Sequence, residues 1–265
     1  MFEYEFMREA FIASTFIAIT AGIVGVFVVS RNMSFLSHTL SEIGFAGASF
    51  GILVGISPLA GMIIFTMVSS VAVGSLSTES SRREASISAI SSLFIGLGIL
   101  FLSLSSESSS YATNILFGSI VGISAKEVNQ LMILALFVIF VFIIFYKPLA
   151  FDSFDHIGAR SAGLRTRLLS IAFLVTLALS VSIGAQIVGS LLVFILLTLP
   201  GATAKYLVHS VPKLIMVSVG LSLAGVWLGL YLAFVTNWPV TFFISAFEVI
   251  AYFFGLMYKN WKLSH

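Results

Sequence analysis

The sequence predicts an all-α integral membrane protein, a polytopic helical bundle of about nine membrane-spanning helices, within a range of eight to ten. Three observations carry this reading. Of the 265 residues, 59% are hydrophobic and only 9% are charged, and the mean hydropathy is +1.12. A soluble domain is about 45–50% apolar and about 25% charged, so the charges here are too few to cover a water-soluble globule. The apolar runs also reach the roughly 20 residues that a helix needs to cross a bilayer. They lack the alternation of membrane β-barrel strands and are too long for them.

Strongly apolar windows lie at 10–29, 52–77, 86–104, 127–147, 168–185, 187–204, 213–235 and 238–258. A weaker stretch at 33–50 holds His38 and Glu42, and another at 112–125 is short and rich in Gly and Ser. The first window follows Glu3, Glu5 and Glu9 with Arg8 as the positive charge, unlike the basic leader of a cleaved signal peptide. It reads as a retained span. No second domain fits, so residues 1–265 read as one transmembrane domain.

Basic loops orient the chain, because Lys and Arg stay on the cytoplasmic side. Arg82 and Arg83, then Lys147, Arg160, Arg165 and Arg167, then Lys205 and Lys213, and finally Lys259 and Lys262 belong inside. The Glu107 loop and the Thr236–Pro239 turn belong outside. With Arg31 inside and the acidic start outside, 33–50 has to cross. The count is then nine, amino terminus out and carboxyl terminus in; if 33–50 dips instead, it is eight.

The remaining totals exclude several classes. Thirteen Lys and Arg against eleven Asp and Glu leave a net charge of +2, too weak and scattered for a nucleic-acid binder. There are no cysteines, hence no disulfides or thiolate metal sites. No Walker-type phosphate loop occurs, so if the chain serves ATP-driven transport the ATPase is another chain.

Ionisable residues inside spans are costly and are functional candidates. His38 and Glu42 stand four apart and share one helix face. One imidazole and one carboxylate suit a divalent transition metal such as zinc or manganese; the alternative is an internal hydrogen-bonded pair. Two ligands leave the coordination shell open, and a second copy across a two-fold axis would supply four. Glu248 lies within the last span, either as a proton or cation relay or as a neutral acid bonded to backbone or Ser. Gly47-x-x-x-Gly51, Gly118-x-x-x-Gly122 and Gly225-x-x-x-Gly229 fit close helix packing. Gly47-Ala48-Ser49-Phe50-Gly51 matches a nucleophile elbow in letters, yet sits in a membrane segment without the strand that motif needs.

Four stretches in order resemble the membrane permease subunit of bacterial zinc/manganese/iron ABC transporters, the ABC-3 type. They are Arg31-Asn32-Met33 followed by Ser37 to Glu42 and Gly47; Asn114 to Ile120; Phe151-Asp152 with Ala159 and Gly163; and Gln186 with Val188 to Val193 running to Pro200 through Ala204. The resemblance implies a vitamin-B12-importer-like permease fold. It implies a permease that is homodimeric or paired with a related subunit, a cytoplasmic ATPase, an extracytoplasmic metal-binding protein and a bacterial plasma-membrane location. It makes 151–163 a coupling segment carrying Phe151, Asp152, Ala159 and Gly163, and sets Gly47, Gly189 and Pro200 as packing residues near the path. The family's Asp and His on the second span stand here as His38 and Glu42, in reversed order. The ion, zinc or manganese, is cargo, and no permanent cofactor and no enzymatic activity are expected. The competing class is a gradient-driven cation carrier using Glu248.

Overall fold

A computed structural model describes residues 4–75, 80–105, 118 and 124–263, with the backbone alone for 73–75, 80–86 and 263. Among the described residues ten helices follow one another: α1 (Glu5–Ser30), α2 (Ser34–Val54), α3 (Pro58–Ser75), α4 (Ser80–Leu104), α5 (Ala125–Phe154), α6 (His156–Ser161), α7 (Thr166–Val188), α8 (Ser190–Leu207), α9 (Val211–Thr236) and α10 (Val240–Leu263). The all-helical expectation is met among the described residues. The 106–117 stretch with Glu107, most of Asn114–Ile120, Gly122 and the Arg82 and Arg83 side chains fall outside them.

Among the described residues seven helices are long and apolar enough to cross a membrane, against the expected nine or so. Those seven are α1, α4, α5, α7, α8, α9 and α10. The two long helices outside this set are α2, diluted by His38, Glu42, Thr39 and four serines, glycines aside, and α3, whose apolar part is only Pro58–Ala72. The expected window at 52–77 does not form one helix. Gly55 (φ 77°) takes the left-handed conformation that ends α2, and Pro58 opens α3. The window ending at 147 instead continues through Pro148 to Phe154. At its start Ser124 and Glu127 form a reciprocal capping box.

The layering follows from which helices are buried. The apolar windows of α1 and α7 are each 67% buried, whereas those of α4 and α10 are 17% buried. One group packs α3 and α4 on α2; the other packs α8, α9 and α10 with α1; and α7 bridges them by touching α1, α2, α3, α5 and α8. Arg31, Asp152, Ser170 and Lys205 gather at one end of the bundle. Tyr4 and Phe11 meet Phe234 and Trp227 at the other.

Lipid is as apolar as leucine, so helix contact relies on small residues and interhelical hydrogen bonds. A Cβ on Gly47 would strike the carbonyl oxygen of Gly61, and one on Gly61 would strike that of Gly47. α2 and α3 therefore touch through their backbones. On α1, a Cβ on Gly22 would come within 2.7 Å of the Val219 Cα of α9, and one on Gly25 within 2.7 Å of the Leu197 carbonyl oxygen of α8. Gly225 and Gly229 pack α9 on α10. Polar fasteners include Ser218 donating to the Gly22 carbonyl (2.8 Å), and Thr66 paired with Ser182 (2.9 Å).

Gly61→Val is expected to cost about 1–3 kcal/mol of stability by overpacking. Thermal unfolding in detergent should show an earlier transition, while Gly96→Ala, which meets nothing within 4 Å, should leave it unchanged or slightly later.

Candidate metal-transit site

His38 and Glu42 sit one turn apart near the start of α2. Their facing atoms, Nδ1 and Oε1, are 3.8 Å apart, an ion-pair separation too long for a hydrogen bond. The side chains keep 37% and 26% of their surface open. They line a cleft of about 250 Å³ with Ser41, Phe45, Ile95, Ile99, Ser190 and Leu191. The Ser91 hydroxyl of α4 donates to Oε2 of Glu42. This fixes one carboxylate oxygen and leaves the other toward the imidazole. The Phe194 ring lies 4.9 Å from the His38 ring, centroid to centroid. Two donors of different type thus face an open, otherwise mostly apolar space. Among the described residues no group of three or more His, Asp or Glu gathers to enclose an ion. The pair alone can hold an ion weakly, as suits passage.

The packing residues divide. Gly189 (φ 87°) breaks the chain between α7 and α8 and so delivers Ser190 and Leu191 to the cleft. Gly47 belongs to the α2–α3 seam and Pro200 is buried within α8; neither lines the cleft.

The 151–163 segment divides more sharply. Phe151 to Phe154 finish α5, and α6 is the short helix of the loop. Asp155 caps α6 by accepting from the Gly158 N–H at 2.8 Å. Gly163 (φ 79°) ends it, with the Leu164 N–H returning to the Ala159 carbonyl at 3.1 Å. Ala159 is fully buried, whereas Phe151, Phe154 and Ile157 are exposed at 41%, 45% and 80%. Asp152, expected on the outer handle, faces inward with a side chain 1% exposed.

Arg31 holds it there. Nη2 of Arg31 donates to Oδ2 of Asp152 at 2.6 Å, Nε to the Ser153 hydroxyl at 2.7 Å, and Nη1 to Ser170 at 3.4 Å. The guanidinium lies 4.8 Å from the centre of the Phe173 ring. Burial pushes the Arg31 pKa below its ordinary value, opposed by the Asp152 charge and hydrogen bond. His156 Nδ1 reaches the other Asp152 oxygen at 2.8 Å. Sequence reasoning missed this network and Ser91. The visible signals were an arginine closing an apolar span and a Phe-Asp pair ending another; nothing local joins them.

Glu248 is fully buried, and both of its oxygens are without a hydrogen-bond partner among the described residues, as is the Ser222 hydroxyl. Its Oε1 occupies the space left by the missing Cβ of Gly225, 2.7 Å from where that atom would stand. It lies at the α9–α10 interface and does not line the cleft. Ser49 is buried within α2 and its hydroxyl is committed to the Phe45 carbonyl at 2.9 Å. That is an ordinary helical bond and no nucleophile elbow.

The molecule is a polytopic helical bundle in which an imidazole and a carboxylate face a mostly apolar cleft, an architecture that fits a membrane permease. The family model of the ABC 3 transport family matches residues 3–259, and the chain belongs to that family. It is a permease subunit, with ATP hydrolysis on a separate chain. A manganese transport system membrane protein, MntC of Listeria innocua, is 29% identical over 238 residues, covering 89% of this chain and 85% of that one. A probable iron transport system membrane protein of Haemophilus influenzae is 30% identical over 236 residues, covering 88% and 86%. The solved structure of PsaBC from Streptococcus pneumoniae in complex with Fab superposes with a TM-score of 0.87 at 24% identity, covering 95% of this chain and 91% of that one. It shares the fold.

Removing a group that orients a metal ligand costs about 10–100-fold in affinity. With Glu42 as a ligand, Ser91→Ala is therefore expected to lower the rate of metal-ion uptake by at least about tenfold, with protein yield unchanged.

Proposed function

We propose that this chain is the membrane-spanning permease of a bacterial ABC importer that carries a divalent transition-metal ion, manganese or zinc, into the cell. The observation that carries the reading is the His38–Glu42 pair facing an open cleft in a chain of the ABC 3 transport family. Imidazole with carboxylate suits manganese and zinc, and thiolate-preferring ions have no ligand in a chain without cysteine. Relatives named for manganese and iron transport agree with that chemistry.

Two copies of the chain form a homodimer around the path, so that His38 and Glu42 of both contribute four donors. A metal-loaded binding protein delivers the ion from outside. The ion is shared briefly between these side chains and released inward when the ATPase chains close. α6 is the coupling helix, and its exposed Ile157, with Phe151 and Phe154 at the end of α5, forms an apolar surface for the ATPase. The chain is a single transmembrane domain crossing nine times, with the amino terminus outside and the carboxyl terminus in the cytoplasm. Nine of the described helices have 18 or more residues, α6 being the exception, which supports that count. The meeting of Arg31, Asp152, Ser170 and Lys205 at one end agrees with the basic loops lying inside.

His38→Ala combined with Glu42→Ala is expected to abolish uptake of Mn²⁺ and Zn²⁺ while the complex still assembles and hydrolyses ATP; retained uptake would reject the site. For docking, Ile157→Asp should sharply lower ATPase recovery in co-purification, because it places a charge in an apolar contact. Full recovery would remove α6 as the docking element.

A further inference from the structure

Arg31 is the C-cap residue of α1, and Asn32 and Met33 complete a tight corner into α2. His38 follows four residues into that helix, about 6 Å along its axis at 1.5 Å per residue. From this corner the Arg31 guanidinium reaches both flanks of α6: Asp152 and Ser153 at the end of α5, and Ser170 in the first turns of α7. α6 itself is tied in through His156 on the second Asp152 oxygen. Burying such a pair is costly, and it is retained only where geometry and extra hydrogen bonds compensate. Ser153 also donates to the Leu149 carbonyl at 2.6 Å, so the acceptor that Arg31 uses is itself fixed.

We infer that the Arg31–Asp152 pair is a positioning link that carries displacement of α6 to the α1–α2 corner and so to the His38–Glu42 cleft. The inference rests on the coupling role proposed for α6. A push on α6 moves Asp152 and Ser170, and Arg31 turns that motion into a shift of the α2 end bearing His38. The pair sets how much transport each ATP yields; it touches no ion.

The test uses the importer reconstituted with its own ATPase chain and binding protein. ATPase recovery, ATP hydrolysis and Mn²⁺ uptake are compared for the wild type, Arg31→Gln, Asp152→Asn, the double variant and Arg31→Lys. The link predicts near-normal recovery and hydrolysis with uptake per ATP lowered about tenfold, within the range that coupling networks carry. The double variant should be no worse than either single one, because both break the same link. Should the neutral variants fail to assemble, Arg31→Lys decides. It keeps the charge but loses the guanidinium fork, and its uptake per ATP should fall about threefold or more while assembly persists. An unchanged ratio in any assembled variant overturns the link. A second readout is independent of the ion carried. In this cysteine-free chain a single spin label at Phe35→Cys, on the exposed side of the first turn of α2, should report ATP-induced motion in an otherwise wild-type importer. Arg31→Lys should abolish that response, and a persisting response overturns the link. Wild-type vesicles that take up neither Mn²⁺ nor Zn²⁺ but keep this Arg31-dependent response would reject the metal assignment alone.

Discussion

A bilayer gives a polypeptide no hydrogen-bonding partner and little hydrophobic force between helices. That constraint shapes the whole molecule. Every backbone group must be satisfied within a helix, and helices must hold each other by close contact or by polar pairs. The backbone contacts at Gly47–Gly61, Gly22–Val219 and Gly25–Leu197 answer the first need. The Ser218 bond to the Gly22 carbonyl and the Thr66–Ser182 pair answer the second. Large apolar side chains such as Ile133, Phe140 and Ile143 on α5 are left outward, where lipid receives them.

The same constraint gives weight to the few ionisable groups held within the bundle. His38 and Glu42 retain accessible surface beside a cleft, and Ser91 orients the carboxylate. Arg31 and Asp152 are almost wholly enclosed and close their bonds on one another and on serines. One pair is open and able to accept an ion; the other is closed and able to transmit position. Glu248 belongs to neither group. Its enclosure by the Gly225 face of α9 keeps it away from the cleft.

Legibility in the sequence followed the range of each interaction. The helices were readable because hydropathy is a local sum, and the His38–Glu42 pairing because an i,i+4 spacing already defines a face. Boundaries were less readable: Gly55 and Pro58 cut a continuous apolar window, and Pro148 failed to cut another, since neighbouring helices decide what a proline does. Ser91 lies 49 residues from Glu42, and Asp152 lies 121 from Arg31. No periodicity encodes those approaches. Asp152 on a charged loop reads as a surface handle, and only the arrival of Arg31 from another helix turns it inward. Gly163, by contrast, ends α6 as a local turn signal predicts.

The central claim is that His38 and Glu42 bind the ion in transit. Pulsed electron paramagnetic resonance on the assembled importer loaded with Mn²⁺ tests it most directly, since a coordinated imidazole nitrogen leaves a distinct coupling on the manganese signal. The account predicts that coupling in the wild type and its loss in His38→Ala. Bound Mn²⁺ with no nitrogen coupling, or a coupling unchanged by His38→Ala, would contradict it.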